Sequence, residues 1–226
     1  MKTIRDHYRI ARGQALIDKP DQGRAMECVA AHAASSHFLR VGDFCRFADW
    51  RFVHRARLNL VPLNGSSSWR TGDRRCRRCG NNIENLAHVV NHCMRYTSLY
   101  MARHNSLVAR LKKAAAGKKG TTTLIIDATV PFDNRIKAFE EAAAEKRAKY
   151  EDLRKEIAND HPGEVTGFPF IVGSLGSWDP TNDVLVRQLC SRSYAKLLWK
   201  LCVSEVIGYS RDAFTEHISG VRARHG

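Results

Sequence analysis

The sequence predicts an α+β protein built from three stretches of different character. The first 63 residues read as helix, a compact Cys/His cluster follows at residues 76–93, and the second half alternates strand-like with helix-like segments. At 226 residues, with 43% hydrophobic and 27% charged side chains, the chain has enough apolar material for a core. That excludes wholesale disorder and a collagen-like or disulfide-dense scaffold. No run approaches the roughly eighteen apolar residues of a membrane span. The opening MKTIRDHYRIARGQALIDK is charged throughout, unlike a secretory signal. The expectation is an intracellular chain with no membrane partner.

Taken in order, FADWRFVHRARLNLVPL is a helical run dense in arginine and aromatics, ended by Pro62 and the Asn64–Ser68 linker. After the Cys/His cluster, LYMARHNSLVARLKKAAA reads as a basic helix broken by Gly117 and Gly120. TTTLIIDATV has strand composition, its β-branched residues bracketing one acid. Pro131, Asp133 and Asn134 supply start signals for a long helix over about 134–158. VTGFPFIVGSLG reads as a second strand, and two helices close the chain. Domain boundaries are therefore expected at 1–70, 71–120 and 121–226.

Charge follows the same division. Net charge is +6 over residues 1–70, +9 over 71–120 and −1 over 121–226, within a total of +14. A solubilising face would spread the excess; concentration into fifty residues suits a phosphate backbone, where each neutralised charge releases a counterion. Arg74, Arg75, Arg77, Arg78, Lys112 and Lys113 are the expected phosphate contacts, and DNA or RNA the expected partner. For such a partner the nucleus is the expected compartment.

Seven cysteines in an intracellular chain are not a disulfide framework. Cys28, Cys45, Cys190 and Cys202 stand alone in apolar surroundings, as small core residues do. The string CRRCGNNIENLAHVVNHC differs. Cys76 and Cys79 are two residues apart, His88 follows after eight more, and Cys93 after another four. Two thiolates on a tight turn with a His and a Cys from a following helical segment complete a tetrahedron, and that softness selects zinc. Four protein ligands make a closed, structural site. His92 offers a competing Cys2His2 set through His88.

In the long helix the inward stripe runs Ile136, Phe139, Ala143, position 146, Tyr150, Leu153 and Ile157. Position 146 is lysine. A charge on a packed face needs a partner, and Asp127, embedded in the preceding strand, is the nearest candidate. An acid on a strand facing such a lysine suits metal-dependent phosphodiester cleavage, with magnesium the metal in an active nuclease. A lysine snorkelling from the edge of the stripe accounts equally well for the pattern.

Several strings together resemble the C-terminal part of the polyprotein of site-specific non-LTR retrotransposons, the class with a restriction-like endonuclease found in arthropod ribosomal RNA genes. They are FADWRFVHRARLNLVPLNG, CRRCGNNIENLAHVVNHC, the RHN triplet, IDATVPFDNR with AFEEAAAEKRAKY, IVGSLGSWDP and YSRDAFTEHISG. The resemblance implies a helical linker region behind a polymerase thumb, a CCHC zinc knuckle with ligands Cys76, Cys79, His88 and Cys93, and a PD-(D/E)xK-like mixed α/β nuclease fold. It adds Arg103, His104 and Asn105 as a nucleic-acid element, Asp127 as the second nuclease acid, and Lys146 with Tyr150 as its Lys-x3-Tyr element. The first nuclease acid has no match, because nothing between Cys93 and Asp127 is acidic. Glu140 and Glu141 are the conceivable substitutes. No adjacent aspartate pair of a polymerase core is present. The expectation is a truncated nuclease, vestigial at Asp127, Lys146 and Tyr150, that binds nucleic acid without cutting it; the alternative is an active endonuclease nicking target DNA for reverse transcription. Without a metal to serve, Lys146 becomes a costly buried charge, and Lys146→Met is expected to leave nucleic-acid binding unchanged and, if anything, to raise thermal stability.

Overall fold

The fold was obtained as a computed structural model, which describes residues 2–66, 71–116, 123–160 and 163–222. Helices lead, as expected: α1 (Lys2–Ile17), α2 (Gly23–Ala30), a 3-10 turn at Ala33–Ser36, α3 (Phe38–Val41) and α4 (Phe47–Arg57). In α4 the buried positions Asp49, Phe52, Val53 and Ala56 recur at three-four spacing. An acid in the first turn and His54, Arg55 and Arg57 in the last suit the helix dipole. The Asn64–Ser68 linker is held where it is described. Gly65 donates to Glu84 O at 2.9 Å, and a Cβ there would sit 2.4 Å from the Ile83 side chain. Ser67 and Ser68 lie outside the described residues.

The basic helix is α5 (Thr97–Ala115), buried along Leu99, Arg103, Leu107 and Leu111, one residue every turn. Its expected break at Gly117 and Gly120 lies outside the described residues. Next comes a strand–helix–strand unit: β1 (Thr123–Thr129), α6 (Arg135–Asp160) and β2 (Val165–Ile171). The strands pair in parallel with Thr123 opposite Val165 and Asp127 opposite Pro169. Proline is tolerated there because each strand of a two-stranded sheet has a free edge. Helices α7 (Asn182–Leu189) and α8 (Arg192–Ser219) close the chain. Among the described residues the architecture is α+β, helix-rich, with one small parallel sheet.

Helix α8 is the axis of the packing. Leu198, Cys202, Val203, Val206 and Ile207 are fully buried, more than one stripe can account for, because α4 and α5 flank different sides. Around it one core cluster joins Phe52 and Leu63, Val89 and Leu107, and Phe170 and Trp178. All three stretches of the sequence therefore share a core.

Buried polar groups lock the stretches together. Arg57 donates to Ser35 O at 2.7 Å and to Leu175 O at 2.8 Å, while Asp133 accepts from the Leu175 amide at 2.7 Å. Burial pushes the Asp133 carboxyl up and the Arg57 guanidinium down. Asp133, expected to cap α6, is thus turned into the 173–177 loop. The cap comes from another element: Glu27 of α2 accepts from the Ile136 amide at 3.1 Å and pairs with Arg135 at 2.6 Å.

The closeness of that loop to Asp133 makes a test. A Cβ on Gly173 would lie 2.4 Å from Asp133 Oδ1, inside a core with nowhere to move. Gly173→Ala should lower the free energy of unfolding in urea by about 1–3 kcal/mol. Gly167→Ala, with nothing within 4 Å of the new Cβ, should not lower it at all.

Candidate metal centre and nucleic-acid surface

The cluster at residues 76–93 is built by two local devices. Cys76 donates its amide to Asn82 O at 2.7 Å and accepts Gly80 N–H at 2.8 Å, which closes a turn carrying Cys76 and Cys79. Asn85 Oδ1 then accepts the His88 amide at 2.8 Å and starts a π-helical turn over His88–His92. The turn ends as Cys93 donates to His88 O at 2.7 Å. The ligand atoms of Cys76, Cys79, His88 and Cys93 all fall within 4.8 Å of one another. Cys79 Sγ is 3.4 Å from His88 Nε2, close to the roughly 3.5 Å edge of a tetrahedral zinc site with Zn–S about 2.3 Å and Zn–N about 2.0 Å. All seven cysteines are free of disulfides. His92 is exposed and stays out of the group.

Three thiols and an imidazole at this spacing fit a zinc ion. Burial, with Cys76 alongside, pushes the Cys93 thiol well above its ordinary value. Three thiolates cannot share so small a space without a cation between them. Zinc would supply that charge, held by Cys76, Cys79, His88 and Cys93.

Glu84 sits beneath the cluster with no solvent exposure. Its carboxylate accepts from the Asn64 amide at 2.6 Å, from the Arg77 amide and side chain at 2.9 and 2.7 Å, and from His217 Nε2 at 2.7 Å. Burial alone would raise this carboxyl, but the Arg77 guanidinium, the two amides and His217 outweigh it and hold the group at about 2. His217, lowered by burial, is satisfied as neutral imidazole. Its Nε2–H donates to Glu84 and its Nδ1 accepts from Tyr96 Oη at 3.2 Å.

The expected phosphate contacts divide into two kinds. Arg74, Arg75, Lys112 and Lys113 are exposed; Arg74 reaches Gly65 O, and Arg75 pairs with Asp73 at 2.8 Å across a well-solvated gap. Arg77, though exposed, and half-buried Arg78 are engaged within the fold, Arg77 on Glu84 and Arg78 on the last carbonyls of α8, His217 O at 2.8 Å and Ile218 O at 3.3 Å. Arg103 is buried, donating to Ser210 Oγ at 2.8 Å and Asn91 Oδ1 at 3.1 Å. His104 and Asn105, next to it, reach the surface and contact each other at 3.2 Å.

Asp127 and Lys146 meet. Lys146 Nζ lies 2.9 Å from Asp127 Oδ2, and His104 Nε2 lies 3.9 Å from Oδ1. Phe139, Ala143, Lys146 and Tyr150 follow the expected stripe, which fades at the 42%-exposed Leu153. The pair opens on a cleft of about 380 Å³ with Tyr150, Glu151, Arg154 and Glu164 in its walls. Glu140 and Glu141 are exposed and outside those walls, with Glu141 beside Lys137 instead. Glu164 precedes Val165, whose partner Thr123 is four residues before Asp127, about 13 Å along the strand. Among the described residues, no second carboxylate joins Asp127 in a metal-holding group.

A helix-rich α+β chain with a Cys3His cluster and a surplus of exposed cations defines the class. No family model matches the chain. Its sequence is similar to the retrovirus-related Pol polyprotein from type-1 retrotransposable element R2 of Popillia japonica, 23% identical over 210 residues. The match takes in 79% of this chain and 43% of that relative, so the chain spans less than half of the relative's length. The likeness supports an origin in a retrotransposon polyprotein.

Glu84 and His217 were missed by sequence reasoning, although both lie in strings singled out above, NNIENLAH and FTEHISG. A lone acid among arginines was the available signal.

Two stability measurements follow from these geometries. Glu84→Gln leaves Arg77 and two amides short of an anionic partner and should lower the unfolding free energy by about 2–4 kcal/mol in urea. Lys146→Met strips the partner from Asp127, so the pairing at 2.9 Å reverses the expectation of raised stability. A loss of about 1–2 kcal/mol is expected, recovered largely in the Asp127→Leu, Lys146→Met double variant.

Proposed function

We propose that this chain is a zinc-stabilised nucleic-acid-binding segment derived from a non-LTR retrotransposon polyprotein, and that it does not itself cleave DNA. The convergence of Cys76, Cys79, His88 and Cys93 within 4.8 Å carries the reading. The similarity to a retrotransposon Pol polyprotein and the net charge of +14 support the partner. In this reading residues 1–70 are a helical linker, 71–120 a zinc knuckle with its basic helix, and 121–226 a truncated restriction-like endonuclease domain. Arg74, Arg75, Lys112 and Lys113 contact phosphates, with His104 and Asn105 beside them. Arg77, Arg78 and Arg103 act one step back, bracing the elements that present the exposed cations. No helix among the described residues is long and apolar enough to cross a membrane. A DNA or RNA partner makes the nucleus the working compartment.

The cleft with Asp127, Lys146 and Tyr150 favours a second reading, a metal-dependent endonuclease. A lone carboxylate is a poor site for magnesium, which sheds its water reluctantly. Here that carboxylate also faces the Lys146 ammonium at 2.9 Å, which competes with any cation. The first reading therefore stands ahead.

Metal analysis should find one zinc per chain in the wild type and in His92→Ala, and none in Cys79→Ala; a zinc-free wild type would sink the knuckle. Affinity for a DNA duplex should fall steeply with salt. Replacing Arg74, Arg75, Lys112 and Lys113 by Gln should reduce the log–log salt slope by about three to four. Magnesium-dependent nicking of plasmid DNA that vanishes in Asp127→Ala would establish the endonuclease instead.

A further inference from the structure

Helix α4 carries a second feature, remote in kind from the knuckle. Its core stripe is Asp49, Phe52, Val53 and Ala56, all buried. On another face Phe47, Arg51 and His54 are exposed, and Trp50 between them is half-buried, its inner side packed against the core. Their rings are stacked in series. Phe47 and Trp50 lie 5.7 Å apart at 15°, and Trp50 and His54 lie 5.5 Å apart at 9°. Offset stacking and edge-to-face packing are both ordinary for neighbouring rings; elsewhere here edge-to-face is common, as between Phe170 and Trp178 at 84°. Phe47 is 71% exposed, His54 is exposed, and the Arg51 guanidinium stands 6.0 Å over the Phe47 ring.

The exposed charges on α4 itself are all basic, while just upstream the exposed Asp43 pairs with Lys200 at 3.4 Å. Arg51 and Arg55 are exposed on the same helix. The single acid, Asp49, is turned inward and held by Arg46 and Arg211, each at 2.9 Å. Just upstream, Phe44 is 49% exposed with Lys200 Nζ 5.4 Å over its ring. A series of parallel rings among basic side chains suits the two halves of a single-stranded nucleic acid, bases that continue the stack from its open ends and phosphates between them. An apolar protein partner would bury Phe47 but leave Arg51 and Arg55 without a counter-charge.

We propose that the Phe47–Trp50–His54 ladder is a stacking platform for unpaired bases of single-stranded DNA or RNA, separate from the phosphate contacts of the knuckle. It rests on the nucleic-acid reading above for the class of partner. Duplex bases are already stacked on each other and cannot use it.

The test is fluorescence anisotropy with the full chain, using a labelled homopyrimidine 12-mer as a single strand and as a duplex. Phe47→Leu combined with His54→Leu changes only exposed side chains and should leave the thermal melt in place. Single-strand affinity should fall about tenfold or more, with an unaltered salt slope and unaltered duplex binding. Phe47→Trp, with His54 retained, should bind the single strand at least as well as wild type. Equal loss for both forms, or no loss for either, would overturn the ladder while leaving the knuckle reading intact. A wild type that binds neither form would overturn both. A ladder variant that dissociates a self-associated chain in sedimentation, with single-strand binding untouched, would assign the face to a second copy and overturn the proposal.

Discussion

A carboxylate with no access to water is tolerable only if nearly all its lone pairs are satisfied, and Glu84 meets that condition in a way that organises its surroundings. Its partners come from the linker at Asn64, the Cys/His turn at Arg77 and the end of α8 at His217, 133 residues away. Removing the charge from water costs several kcal/mol, and the interaction returns it only with all these partners in place. The result is close to all-or-none. The linker, the cysteine turn and the C-terminal helix take one relative position or the carboxylate is left unpaired.

That constraint explains why the arginines beside the cysteines are not interchangeable. Four sit within five residues, yet two are committed to the fold: Arg77 to Glu84, and Arg78 to the carbonyls that end α8. The other two point outward, where solvent screening makes the Asp73–Arg75 pair weak and easily exchanged for phosphate. Arg103 on α5 is also internal, linking Asn91 of the cluster to Ser210 of α8. Sequence density of positive charge therefore overstates the number of cations free for a phosphate backbone, and the committed arginines instead fix the geometry of those that remain.

What was legible in the sequence was local. The cysteine and histidine spacing, the three-four stripe of α6 and the β-branched run of β1 are each encoded locally, and each appeared where expected, the stripe as far as Tyr150. Asp127 and Lys146 could be paired because one interrupts an apolar strand and the other an apolar helix face, so each lacked a local partner. Glu84, His217, Arg57 and the Glu27 cap on α6 were hidden because their meaning depends on partners about 20 to 140 residues away. Asp133 shows the same limit from the other side. Its position suggested a helix cap, but the 173–177 loop offers its carboxylate a buried amide, and tertiary structure overrode the local preference.

The central claim is that Cys76, Cys79, His88 and Cys93 close on one metal and that Glu84 anchors this closed unit to the rest of the chain. The most direct measurement is the visible absorption of the full chain with cobalt(II) in place of zinc. A tetrahedral site of three thiolates and one imidazole should give intense d–d bands with thiolate charge transfer at one cobalt per chain, displaced stoichiometrically by zinc. Weak absorption of six-coordinate cobalt, or bands that persist in Cys93→Ser at full strength, would contradict the account.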